Sequence, residues 1–347
     1  MGETTFQVIR LLSTSALAFM IAMAVTPLWT NFLYKYRLGK QIRTEGAPIF
    51  ASMHKAKEGT PTMGGVIVWV AVLLLLAILA VVRAIDPESA LAEFYFLSRA
   101  ESLLPFAVLI LAALVGLADD LLGVLRIGPK GGGLAMRHRV LVYLALASLA
   151  AWWFYSKLDW DVLAVPFMGS VSIGLWYIPV FIFIITATVH SVNLTDGLDG
   201  LSGGILLIAF ASYALISFLQ GRYDLAILCG VIAGALVAFL WFNVHPARFF
   251  MGDTGSMALG ITLGVIAMLT NAGLLLPLIA FIPMVESVSV ITQVVSKKTR
   301  RKKIFHSTPI HHHFEARGWP ETKVVERFWI IAGVMAIFGI VLYLIAY

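Results

Sequence analysis

The stretch Val66–Val82 reads VIVWVAVLLLLAILAVV and carries no charge until Arg83. A membrane-crossing helix needs about 20 predominantly apolar residues, and inside hydrocarbon the backbone polar groups must be satisfied within the segment, which favours a helix. This run therefore predicts a spanning helix.

Working outward, comparable runs lie near residues 8–34, 62–82, 103–118, 140–156, 173–190, 200–219, 224–242, 255–270, 273–295 and 328–346. The expected fold is all-α: a polytopic membrane protein of about ten helices forming one domain over 1–347, with loops on one side near 35–61, 119–139, 191–199, 243–254 and 296–327. The composition agrees, with 60% hydrophobic residues, 13% charged and a mean hydropathy of +0.91. Soluble domains carry about 25% charged residues. The single cysteine, Cys229, excludes an intrachain disulfide. The first apolar run lacks a basic leader and a small-residue cleavage pattern, so it reads as a retained helix.

The net charge of +6 is distributed by topology. One side of the ten-span arrangement receives only Arg10, Arg83, Arg99, Lys157 and Arg222, leaving 20 of the 25 Lys and Arg on the other. The positive-inside rule makes that richer side cytoplasmic and both termini periplasmic, and it argues against nucleic acid as a partner. Asp119, Asp120, Asp196, Asp199 and Asp253 also fall on the basic side, with all eight histidines. Acids contribute little to orientation, so their gathering reads as a site.

Five segments carry that site. Asp119-Asp120 closes an apolar helix after Gly116, and adjacent helix positions diverge by about 100°; the bland alternative is a polar helix end. Asn193, Asp196 and Asp199 recur at intervals of three, which on a helix puts them on one face; the alternative is a glycine-rich turn with solvated acids. Asn243 through Ser256 ends in Gly-Asp253-Thr-Gly-Ser, placing Asp253 near a helix N-terminus that favours negative charge; a plain N-cap is the alternative. His311-His312-His313 is a poor zinc site, because consecutive side chains diverge and no cysteine assists; phosphate binding or proton transfer suits imidazole better. His54 through Gly65 is basic and glycine-rich, with Lys57 and the threonines as candidate phosphate contacts, but it lacks the P-loop order. Carboxylates without thiolates suit Mg²⁺, and phosphoryl transfer is the chemistry that uses such a set beside cationic loops.

At these residues the chain resembles the polyprenyl-phosphate N-acetylhexosamine-1-phosphate transferases, and within them the phospho-N-acetylmuramoyl-pentapeptide transferase branch. The resemblance runs nearly end to end, through GTPTMGG (Gly59–Gly65), Asp119-Asp120, SVNLTDGLDGL (Ser191–Leu201), LWFN (Leu240–Asn243), FMGDTGS (Phe250–Ser256), PIHHHFE (Pro309–Glu315), Gly318-Trp319-Pro320-Glu321 and Arg327–Ile330. It implies a homodimer in the bacterial inner membrane with a cytoplasmic, Mg²⁺-dependent site. There UDP-N-acetylmuramoyl-pentapeptide and undecaprenyl phosphate give lipid I and UMP. It implies that Asp253 is the metal ligand, that Asp119 acts on the lipid phosphate beside Asp120, and that Asn193 and Asp196 line the catalytic cleft. Gly197, Leu198, Asp199, Asn243 and Phe250 resemble the uridine pocket, Lys57 the family's lysine, and His311, His312 and His313 its histidine motif. Gly128–Gly133 is about two residues longer than the resemblance leads one to expect, and Arg139 stands where a lysine is expected.

Two mechanisms fit these residues: direct attack by the lipid phosphate after Asp119 takes its proton, or a phospho-aspartyl intermediate. The direct route is favoured, since a phosphate of second pKa about 6 is already mostly anionic near neutrality. The rivals are a sister transferase using UDP-N-acetylglucosamine and an ion-coupled transporter. Glu286, deep in an apolar run, would serve the transporter or be a hydrogen-bonded packing acid.

Overall fold

A computed structural model describes residues 2–39, 57–97, 100–129 and 132–346. His54, Lys55, Arg99 and Lys130, on which parts of the sequence reading rest, lie outside the described residues.

The helices are α1 (Glu3–Lys35), α2 (Val66–Ile85), α3 (Ala100–Val124), α4 (Met136–Lys157), α5 (Tyr177–Thr195), α6 (Leu201–Leu219), α7 (Tyr223–Asn243), α8 (Gly252–Leu269), α9 (Leu276–Ile279), α10 (Phe281–Thr299), α11 (Ile310–Ala316) and α12 (Glu321–Ala346). Among the described residues nine helices are long and apolar enough to cross a membrane, and the bent pair Gly273–Ile279 and Phe281–Thr299 makes up to ten. The chain is a multi-pass, all-α membrane protein, as its hydropathy predicts.

Three local expectations are corrected and one element is added. Asp119-Asp120 does not close its helix, because α3 continues to Val124. The span expected over 273–295 is broken at Ala280, where its two parts bend by 86°. Pro283, just past the break, lacks the N–H that would bond back across it to Ile279. Asn193, Asp196 and Asp199 do not share a helix face, because α5 ends at Thr195 and Gly200 is left-handed (φ 80°). Finally, an antiparallel hairpin, β1 (Val162–Val165) and β2 (Gly169–Ser172), joins α4 to α5. Four residues per strand are too few to stand out beside twenty-residue helices.

The bundle is apolar outside. Leu12, Leu28, Phe183, Trp241, Ile330 and Ile345 are all exposed, as suits a surface solvated by lipid. With no hydrophobic drive between helices in lipid, association depends on close packing of small residues. The buried stripe of α1 is Arg10, Thr14, Ala18, Ala22, Thr26 and Thr30. It lies against α7, where Gly234 approaches so closely that a Cβ would meet the Ser15 carbonyl at 2.1 Å. Arg10 ties the same pair, reaching Asp224 at 3.2 Å.

Helix α8 is the axis of the molecule, with every residue but Asp253 buried. Gly260 and Gly264 admit Val189 and Ile185 of α5, and Gly116 of α3 lies against the Asp253–Thr254 backbone. One end of the bundle collects both termini: Arg10 with Tyr95, Ala164 with Asn271, Arg222 with Leu269, and Phe167 with Ala346. The five aspartates of the sequence motifs gather at the opposite end.

Candidate functional site

The site is built on the first turn of α8. Gly252 takes a left-handed φ of 76°, and a Cβ there would lie 2.5 Å from Asp120 Oδ2, so only glycine fits between the chain reversal and the acid. Asp120 accepts the Thr254 N–H at 3.0 Å and faces the Thr62 hydroxyl at 3.4 Å. It therefore caps α8 from α3, satisfying an N–H that has no partner within its own helix. Thr254 Oγ1 donates back to the Ala113 carbonyl at 2.9 Å, which fixes the two helices in register.

The neighbouring acid points elsewhere, as the helical twist requires. Asp119 is 1% exposed. Its Oδ1 accepts the Leu134 N–H at 2.5 Å and its Oδ2 lies 2.7 Å from Arg139 Nε. Arg139, in the first turn of α4, reaches on to Asp253 Oδ2 at 2.8 Å. Asn193 donates to the other oxygen of Asp253 at 2.6 Å and to Ser256 at 2.9 Å. The result is a continuous array, Asp119–Arg139–Asp253–Asn193, drawn from four helices. Asp196, at the C-terminus of α5, accepts the Gly252 N–H at 3.1 Å and so fastens its turn to the same helix start.

A second cluster lies beside it. Lys57 Nζ sits 2.6 Å from Asp199 Oδ1 and 2.5 Å from Glu321 Oε1, and 5.9 Å from the centre of the Phe250 ring. Glu321 Oε1 also accepts the Asp199 N–H at 2.7 Å, and His245 Nδ1 lies 3.0 Å from Asp199 Oδ2. Asn243 braces the cluster, accepting from Gly200 N–H at 3.0 Å and donating to the Phe249 carbonyl at 2.7 Å. Leu198 is buried with Leu201, Ile205 and Val324. The clusters are joined by residues 249–252, which pair with the GTPTMGG segment: Phe250 N–H donates to Pro61, and Gly64 and Gly65 donate to Phe250 and Met251, each at 2.8 Å. Thr62, Gly64 and Gly65 thus serve the scaffold, and the cation comes from Lys57, two residues ahead of that segment.

The histidines divide. His311 is fully buried against Glu286 at 3.0 Å. His312 pairs with Glu315 at 2.6 Å. His313 is the most open; its Nδ1 accepts the His306 N–H at 3.1 Å. Burial first, then the neighbouring His306 and Arg317, hold its imidazole below the ordinary histidine range.

Two places offer oxygen ligands to a cation. Asp199, His245 and Glu321 have ligand atoms within 4.8 Å of one another, but the Lys57 ammonium already supplies positive charge to both carboxylates. The Asp119–Asp253 pair has an oxygen-only character suited to a hard ion, and Asp253, with its side chain 16% exposed, is the more open acid of the two. Arg139 already pairs with both of these acids, as Lys57 does with Asp199 and Glu321, so what marks out Asp253 is its all-oxygen setting and its exposure, which suit a hard ion such as Mg²⁺. Arg139 and Glu321 are connections that the motif reading did not assign to the site; Arg139 stood out only as a departure from a lysine, and Glu321 only as part of a matching segment.

A one-ended array of acids, a guanidinium and an ammonium, set in the ends of apolar spanning helices, defines a polytopic membrane protein equipped to handle phosphate. Residues 102–271 match the model of glycosyl transferase family 4, and residues 57–67 match phospho-N-acetylmuramoyl-pentapeptide-transferase signature 1. A phospho-N-acetylmuramoyl-pentapeptide-transferase of Clostridium novyi is 38% identical over 325 residues, covering 93% of each chain. Its counterpart in Chloroflexus aurantiacus is 37% identical over 97% of this chain and 90% of its own. That of Anoxybacillus flavithermus is 37% identical over 95% and 97%. The chain belongs to the phospho-N-acetylmuramoyl-pentapeptide-transferase family.

Proposed function

We propose that the chain transfers phospho-N-acetylmuramoyl-pentapeptide from UDP-N-acetylmuramoyl-pentapeptide to undecaprenyl phosphate, giving lipid I and UMP, the first membrane step of peptidoglycan synthesis. The observation that carries this reading is the Asp119–Arg139–Asp253–Asn193 array, in a chain whose relatives bear that activity in their names. The whole chain acts as one catalytic domain, as a homodimer, in the bacterial inner membrane. Its aspartate-bearing end is cytoplasmic and its termini are periplasmic, in keeping with the basic loops.

The lipid phosphate approaches the array at the helix ends. Asp119 takes its remaining proton. A phosphate oxygen then attacks the sugar-linked phosphorus, forming a P–O bond as the pyrophosphate P–O bond breaks and UMP leaves with the bridging oxygen. Direct attack is favoured over a phospho-aspartyl step because the lipid phosphate, with a second pKa of about 6, is already mostly anionic near neutrality and needs little activation. Arg139 neutralises charge that develops on the transferred group, and Asn193 and Asp196 hold the start of α8 where Asp253 stands. Mg²⁺ on Asp253, when bound, would neutralise pyrophosphate oxygens. Gly197, Leu198, Asp199, Asn243 and Phe250 make the uridine end of the cleft beside Lys57, and His311, the first residue of the histidine motif His311–His313, packs behind Gly197.

Release of UMP, followed with each of UDP-N-acetylmuramoyl-pentapeptide and UDP-N-acetylglucosamine, with and without Mg²⁺, tests the reading. Turnover is expected with the first nucleotide only, and only with the metal. Asp253→Asn should be almost inactive. Retained UMP release in that variant would remove Asp253 from metal binding, and preference for the second nucleotide would assign the chain to the sister activity.

A further inference from the structure

Glu286 and His311 are both fully buried, and nothing in the mechanism above uses the glutamate. Two ionisable groups sealed inside a membrane protein are costly and are functional by default. Glu286 belongs to the inner stripe of α10, with Ser289, Gln293 and Ser296, while Val288, Ile291 and Val295 of the same helix are exposed. That polar stripe holds the chain leading to α11. Gln293 accepts the N–H groups of Ile304 and Phe305 at 2.9 and 3.0 Å, and Ser296 donates to Lys302 at 2.9 Å. Glu286 is the deepest of these anchors. One carboxylate oxygen lies 3.0 Å from His311 Nδ1, and the other faces the His311 N–H at 3.5 Å.

The far side of the imidazole is pressed on Gly197. A Cβ at that position would lie 2.4 Å from His311 Nε2 and 2.9 Å from Cε1. Gly197 stands between Asp196, which holds the start of α8, and Asp199, which holds Lys57. The carboxylate accepts the His311 backbone N–H with one oxygen and stands beside Nδ1 with the other, so it sets where the ring lies.

We propose that Glu286 is a positioning residue: acting through His311, it fixes the Gly197 turn and with it the spacing of Asp196 and Asp199. This rests on the proposed function only in assigning that turn to the cleft. It predicts that a hydrogen-bond acceptor is needed at position 286, beyond the volume it fills.

Glu286→Gln and Glu286→Met separate those requirements at similar size. In hydrogen–deuterium exchange of the full-length protein in detergent, Glu286→Met should raise exchange at residues 196–201 while Glu286→Gln stays near wild type, with α1 and α7 unchanged in both. In UMP release, Glu286→Met should lower kcat by about 100-fold, the scale of a misplaced reacting group, while Glu286→Gln stays within about fivefold, well short of that misplacement scale. The double variant Glu286→Met/His311→Ala should be no worse than His311→Ala alone, because coupled groups do not add. Unchanged exchange at 196–201 in a folded Glu286→Met protein, or losses that multiply in the double variant, would overturn the proposal. Should Glu286→Met fail to fold, Glu286→Ala with His311→Ala decides by the same criteria. The exchange measurement needs no turnover, so it speaks to Glu286 even if wild type releases no UMP, a result that would refute the proposed function instead.

Discussion

The Arg139 guanidinium lies 2.8 Å from the Asp253 carboxylate, and its Nε holds Asp119 at 2.7 Å. One cation therefore spaces two acids that would otherwise repel. A planar fork serves two carboxylates at once, whereas a lysine is a point charge that satisfies one at a time. Arg139→Met should lower kcat for UMP release by about 100–1,000-fold, the usual effect of deleting a charged donor aimed at a reaction centre. Arg139→Lys should keep about a tenth of wild-type turnover, because its point charge is retained while the fork is lost. Steady-state assays at saturating nucleotide decide; a methionine variant within tenfold of wild type would place the reaction away from this array.

Gly116 and Gly123 stand seven residues apart on α3 and should respond to alanine in opposite ways. A Cβ on Gly116 would meet the Asp253 carbonyl oxygen at 2.4 Å, while a Cβ on Gly123 meets nothing within 4 Å. Gly116→Ala has to push α3 from α8, which separates Asp119 from Asp253 and breaks the Asp120–Thr254 cap. Activity should fall by about 100-fold, the cost of a misplaced group. Gly123→Ala should leave activity unchanged and stabilise by about 0.5–1 kcal/mol from helix entropy alone. Thermal unfolding in detergent beside UMP release gives both results, and equal effects from the two variants would refute the packing account.

The spans and the gathering of acids at one end are legible in the sequence, because lipid imposes a length and apolarity that no other solvent demands, and because basic loops mark a side. Asp253 is legible as an acid beginning a helix. The choice between Asp119 and Asp120 is not: it depends on which of two directions faces Arg139, and that follows from the close approach of α3 and α8 at Gly116. The spacing of Asn193, Asp196 and Asp199 suggests a shared face, yet α5 ends at Thr195 and the three side chains go to Asp253, Gly252 and Lys57. Glu321 is far from Asp199 along the chain, and no local pattern reports that contact. The break at Ala280 is likewise invisible to hydropathy, which scores the run 273–295 as continuous.

Glu321 is the least obvious member of the proposed uridine end. It receives the Lys57 ammonium at 2.5 Å and the Asp199 N–H at 2.7 Å, so it holds in place two groups assigned to the nucleotide without belonging to the reacting array. Glu321→Ala should free Lys57 to swing toward Asp199 alone. The KM for UDP-N-acetylmuramoyl-pentapeptide should rise about tenfold, roughly the loss of one hydrogen bond to a charged group, with kcat unchanged within about twofold, as expected for uniform binding. A fall in kcat at constant KM would instead put Glu321 with the chemistry.

His313 supplies a pH signature that is read in stability rather than in turnover. Its imidazole is held below the ordinary histidine range, chiefly by burial and then by His306 and Arg317, and its Nδ1 accepts the His306 N–H at 3.1 Å. The folded protein thus favours the neutral ring. For a group whose folded pKa is depressed, the unfolded chain binds the proton first, so the stability it contributes is present above the unfolded histidine value and is lost as pH falls through the folded one. Between pH 7.5 and pH 5, both chosen to bracket an ordinary histidine pKa of about 6.5, the wild-type melting temperature should therefore drop more than that of His313→Asn, which keeps a side-chain acceptor and cannot titrate. Melting curves in detergent at the two pH values supply the comparison. An equal drop in both proteins would show that His313 does not prefer its neutral form when folded, and a larger drop in the variant would reverse the sign of the linkage.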